Sequence, residues 1–244
     1  MALADVADDA QIHLASPKNG LATRFLARAV GKDVDLIIDN VLTSVRVNGW
    51  GEGGNIEAKK LGIVTSNGDF NADITSTRVT FFEHGIRQIN VRNGSLKSNI
   101  ETDRLGNVIV TGGDAQLTVN IVADALALRN KPGVNTVKVT GGDLVDSQFN
   151  LQDGSVLNNL LVLARGGLGG NLVGTTTING NLKQGRFSDP GADFDLMGTL
   201  MRRLTASCAS DAVSVLAGGD LDGDTSEGDV DILTFDPKAR IVCR

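Results

Sequence analysis

Val137-Lys-Val-Thr-Gly-Gly-Asp-Leu-Val-Asp-Ser-Gln-Phe-Asn-Leu-Gln-Asp-Gly154 decides how the chain is read. Val137 and Val139 alternate with polar neighbours, Gly141-Gly142-Asp143 turns the chain, and Phe149 and Leu151 resume the alternation. Alone, this is a hairpin. Related segments recur, however: Val45 to Ala58 around Gly49, Ile63 to Thr75 around Gly68, Ile89 to Thr102 around Gly94, and Val108 to Ile121 around Gly113. Weaker copies run from Leu161 to Thr175 around Gly167, from Thr177 to Phe187 around Gly180, and from Val213 onward around Gly219. A unit too small to bury its own apolar face must stack on its neighbours, so recurrence at roughly 24 residues predicts one coil of a solenoid per unit. The expected fold is all-β, a single-stranded right-handed parallel β-helix of about eight irregular coils with capped ends. With strands ~4.8 Å apart, the rod is on the order of 40 Å long.

Composition agrees with a thin aliphatic interior. The 244 residues are 41% hydrophobic but only 4% aromatic, with one Trp and no Tyr, so Val, Ile, Leu and Ala must fill the core. Thirty glycines fall mostly in turns. A net charge of −6, with basic residues scattered singly, argues against nucleic acid as a partner. No apolar run of ~18 residues predicts membrane insertion. The N-terminus, Met1 to Asp9, lacks a basic region followed by a long apolar one, so the chain reads as a mature region or fragment without its signal peptide.

Three regions are expected: an N-terminal cap and first coil over 1–32, the parallel β-helix over 33–205, and a C-terminal coil or cap over 206–244. Leu21 to Val30 fits both helical and strand spacing, and a short helix plugging the open end is the favoured reading. Val156 to Leu163 reads as a strand buried on both faces or a helical excursion, and Leu200, Met201 and Leu204 are spaced for one helical turn. The decisive expectation is that Val91, Val110 and Val139 line up along a common axis.

The most site-like stretch is acidic. Asp220, Asp222, Asp224, Glu227, Asp229 and Asp231 supply hard oxygen ligands at the alternate positions of a tight loop, the donor set Ca²⁺ takes. As a twelve-residue calcium loop it departs from the usual pattern at Thr225, where the turn glycine belongs, and at Asp231, where a bidentate Glu belongs; a solvated acidic turn is the competing reading. Calcium is the only cofactor expected. Cys208 and Cys243 flank the segment that lacks the repeat and are expected to form a disulfide, with two buried free thiols as the alternative. Asp143 with Asp146, or Asp189 with Asp193 and Asp195, are the pairs available for acid–base work on a glycosidic bond. His13 and His84 stand apart, which argues against zinc. Trp50, in a turn, is read as a lid on the core, and Gly166 to Gly174 as a turn.

The pattern in Ile89-Asn-Val-Arg-Asn-Gly-Ser-Leu and Val137-Lys-Val-Thr-Gly-Gly-Asp-Leu resembles the degenerate repeats of large bacterial secreted and cell-surface β-solenoid proteins, including planctomycete ones, over roughly residues 35–190. The acidic end resembles a dockerin-like tail, with the departures given. The resemblance implies an extracellular or cell-surface setting. The function expected is a non-catalytic structural or adhesive module, with other copies of itself, cell-surface or matrix components, or polysaccharide as partners. A polysaccharide-processing β-helix enzyme, lyase or glycoside hydrolase, is the alternative.

Overall fold

The computed structural model describes residues 2–15, 23–76, 84–123, 131–152, 154–187, 194–206, 213–215, 230–236 and 238–243. These residues form nineteen strands and no helix, and the strands join in one sheet whose named ladders are all parallel. The chain is a parallel β-helix built on two ladders.

The first ladder stacks β1 (Ala2–Val6), β3 (Thr23–Val30), the second half of β4 (Asp35–Val47), the second half of β5 (Asn55–Ser66), β7 (Ile86–Arg92), β9 (Leu105–Thr111), β11 (Val134–Thr140), β13 (Val156–Leu163), β15 (Asn181–Arg186), the second half of β16 (Phe194–Ala206) and β19 (Arg240–Cys243). The second stacks β2 (Gln11–Leu14), the first halves of β4 and β5, β6 (Asp73–Ser76), β8 (Leu96–Thr102), β10 (Ala115–Ile121), β12 (Leu144–Leu151), β14 (Leu172–Asn179), the first half of β16 and β18 (Val230–Phe235). The first ladder is therefore deeper than the glycine anchors indicate, because β1 and β3 precede Gly49.

Register makes the core. Val91, Val110, Val139 and Val162 are successive partners, as the alignment test requires, and Leu36, Ile56, Ile74, Ile100, Val119, Phe149, Ile178 and Leu196 form a parallel file on the other ladder. Members of both files are buried. A third file runs along the corner through Val30, Trp50, Phe70, Leu96, Ala115, Leu144 and Leu172. Trp50 sits in the core at 1% exposure, tilted 6.1 Å from Phe25 and edge-on 5.7 Å from Phe70.

Each stretch that fitted helical spacing is a strand over its described residues. In β3, Phe25 and Ala27 are buried while Arg24, Leu26 and Arg28 are exposed, the period-2 pattern, and β1 and β4 supply hydrogen bonds on either side. A helix plug over Leu21 to Val30 would leave those edges unpaired, so the tertiary ladder overrides the ambiguous spacing. β13 and β16 are likewise fully laddered. At the C-terminal end, β17 (Val213–Val215) pairs with the far side of β18, so the strand made later in the chain lies between β16 and β17 and has both its edges covered.

Candidate functional site

One corner of the coil explains the recurring glycine-polar pair. Gly68, Gly94, Gly113, Gly142 and Gly169 follow one another up the stack, each within van der Waals reach of the last. The residue after each anchor reaches across to the next coil. The Ser95 N–H donates to Asp69 Oδ1 at 2.8 Å, the Asp114 N–H to Ser95 Oγ at 3.2 Å, the Asp143 N–H to Asp114 Oδ1 at 2.8 Å and the Asn171 N–H to Asp143 Oδ1 at 3.0 Å. Asp73 and Asp146 do the same along the second ladder, accepting from the N–H of Asn99 at 2.8 Å and of Thr175 at 3.2 Å. Replacing Asp114 with Ala should cost about 1–2 kcal/mol by stranding the Asp143 N–H, whereas Asp114→Asn keeps an acceptor and should cost less; chemical denaturation of the two variants checks the order.

This settles where the weighed acids stand. Asp143 and Asp146 both spend a carboxylate oxygen on backbone, and Asp146 adopts φ 38° to do so. Asp195 lies in β16, and Asp189 and Asp193 fall outside the described residues. Five of the calcium candidates, Asp220, Asp222, Asp224, Glu227 and Asp229, also lie outside them, as does Cys208. Asp231 is placed in β18, directly opposite Asp195 in β16, and Cys243 in β19 opposite Ala206. His13 is exposed and 2.7 Å from Asp39, remote from His84, and no group of three metal-ligating side chains occurs among the described residues.

A polar surface lies on the outside of the second ladder. Asn150 donates an amide hydrogen to Asn120 at 2.8 Å and Asn179 donates to Asn150 at 2.7 Å, a ladder no spacing argument had identified although the in-register Asn residues carry the signal. Beside it, Asp73, Asn99, Gln116, Thr118 and the Glu52–Lys97 ion pair at 3.0 Å line a shallow depression of about 240 Å³. The hydrogen bond from Lys97 holds the Glu52 carboxyl below its usual range. Such a surface offers amide and carboxylate groups to hydroxyl-rich ligands. Among the described residues, the rings of Phe25, Trp50, Phe70, Phe149, Phe187 and Phe194 are all buried.

A second cluster sits where the chain enters the first ladder. Burial, reinforced by the charges of Arg104, Lys131, Arg87 and Lys60, pushes His84 down to about 4. Burial also pushes the Asp103 carboxyl up. Because His84 binds its proton less readily folded than unfolded, its contribution to stability is complete above pH 6.5 and is lost as the pH falls from there towards about 4. His84→Gln should flatten that part of the stability–pH curve, measured by denaturant unfolding at fixed pH steps. Asp103 runs in the opposite direction, so the test is best repeated with Asp103→Asn present.

No protein-family model matches the chain, and no curated protein or solved structure does either.

Proposed function

We propose that the chain is a non-catalytic structural or adhesive module of a secreted or cell-surface bacterial protein, stabilised by calcium and by a Cys208–Cys243 disulfide at its C-terminal end. The observation that supports this reading best is the use of Asp69, Asp114, Asp143 and Asp146 as acceptors for the backbone of the next coil. An acid committed in this way is a strut between coils, and protonating or moving it in a reaction cycle would uncap the backbone of the next coil. The polysaccharide-facing role belongs to the Asn ladder and its neighbouring depression.

Asp231, one of the proposed calcium ligands, lies in β18 opposite Asp195 of β16. Cys243 faces Ala206, which precedes Cys208 by two residues in the sequence. Calcium should raise the unfolding temperature and chelator should lower it, with Asp222→Asn/Asp224→Asn removing the difference; two titratable thiols in the unfolded, unreduced protein would rule the bridge out.

The activity test is direct. Incubated with acidic and neutral polysaccharides, the protein should release neither reducing ends nor unsaturated uronates while beads coated with it retain polysaccharide. Turnover that disappears in Asp143→Asn or Asp146→Asn would replace this reading with the enzyme.

A further inference from the structure

The outward side of the first ladder changes character near its C-terminal end. Asn159, Gln184, Arg203 and Arg240 are successive partners across four coils, and Leu161, Arg186 and Thr205 form the neighbouring outward file. Gly185, between Gln184 and Arg186, points into the core, where a Cβ would already lie 2.7 Å from Leu204 Cδ1. The two files enclose a depression of about 180 Å³ lined by Leu161, Gln184, Arg186, Arg203 and Thr205, with Gly185 at its base. That is room for several waters.

The charges are the notable part. Arg203 and Arg240 face each other on adjacent strands about 4.8 Å apart, a like-charge pairing that costs stability unless something negative lies over it. Arg186, Arg203 and Arg240 are exposed. Among the described residues none of the three side chains has an ion-pair or hydrogen-bond partner, and no carboxylate lines the depression. This occurs in a chain whose net charge is −6, so the bulk charge does not explain the patch.

We infer that Arg186 and Arg203, with Gln184 and Thr205 beside them and Arg240 on the next coil, form an oxyanion-binding site. Guanidinium groups present paired N–H donors in a plane that matches two oxygens of a sulfate or carboxylate, and Gln184 and Thr205 supply neutral donors for the remaining oxygens. Leu161 gives the depression an apolar wall against which the carbon skeleton bearing the anion can rest. The ligand class is thus a sulfate ester or carboxylate, free or carried on a sugar, and the site stands whether or not the adhesive reading holds.

Titrations with sodium sulfate and with a sulfated tetrasaccharide, at an ionic strength held constant with sodium chloride, test it by calorimetry. Both probes should bind wild-type protein and compete with each other, and Arg186→Gln/Arg203→Gln should weaken both by about tenfold or more. Lys59→Gln, at an exposed position of β5, should leave binding unchanged. Binding of the tetrasaccharide alone, still lost in the double variant, assigns the site to a sugar-borne anion; binding of both assigns it to the oxyanion itself. Failure of both probes to bind, equal binding by the double variant, or equal weakening by Lys59→Gln overturns the assignment. Should the double variant fold poorly, Arg203→Gln answers separately: sulfate should raise the unfolding temperature of wild type more than that of this variant, and equal shifts would mark only the general effect of sulfate on protein surfaces.

Discussion

Gly142→Ala should unfold the middle of the solenoid, with a loss of about 3 kcal/mol or more. A Cβ at this position would lie 2.0 Å from Gly113 O and 2.3 Å from its carbonyl carbon, and both atoms are backbone of the coil beneath. Nothing flexible can yield. The two coils must part, which also breaks the Asp143 N–H to Asp114 bond and the burial of Leu144. Gly49→Ala is the internal control, since its nearest atom, Asp69 O, is 3.6 Å away and a methyl group is accommodated. Because neighbouring coils support one another, the loss should appear as a second, earlier transition or a broadened one rather than a simple shift. Equal stability of the two variants by circular dichroism melts would mean that the coils are not in this contact.

Trp50→Ala comes second, at about 3–5 kcal/mol. The indole is buried, fills the corner between Phe25 and Phe70, and no smaller neighbour can close over the gap without breaking the Val30–Trp50–Phe70 file. Its Nε1–H has no hydrogen-bond partner, so Trp50→Phe gives up some volume but also removes an unsatisfied donor. The phenylalanine variant should therefore keep most of the stability that the alanine variant loses. Trp50 is the only tryptophan, and its emission in the folded protein should be blue-shifted and should move red on unfolding; emission already red in native buffer would contradict its burial.

The stacking was legible because β-strand spacing and coil spacing are both written in the sequence. Val91, Val110 and Val139 each precede a glycine turn by a similar distance, which suffices to align them. The reading lost accuracy wherever loops differ in length. Among the glycines of 166–170, spacing pointed to Gly167, whereas Gly169 is the one that stacks on Gly142; Gly166 and Gly167 instead take φ of 64° and 80° in a tight turn closed by Arg165 and Leu168. At the N-terminus, Arg24 and Arg28 suit an exposed helical face as well as an exposed strand face, and only the partners in β1 and β4 decide between them.

The candidate site was less legible for a related reason. Asp143 and Asp146 are visible as acids close together, but what each does depends on an N–H that arrives 28 or 29 residues later. The basic depression near Arg203 was hidden in the same way, since Arg186, Arg203 and Arg240 are scattered in sequence and meet only through register.

The corner bonds share a direction. Asp69, Ser95, Asp114 and Asp143 each accept from the coil that follows, and Asn107, Asn120 and Asn150 accept side-chain hydrogens from the following coil in the same sense. A finished coil therefore displays ready acceptors towards the segment not yet placed, and the stack has a chemical polarity as well as a geometric one. A chain supplied amino end first would meet these acceptors in sequence order as far as β16, where the rule ends, because β18 comes between β16 and β17.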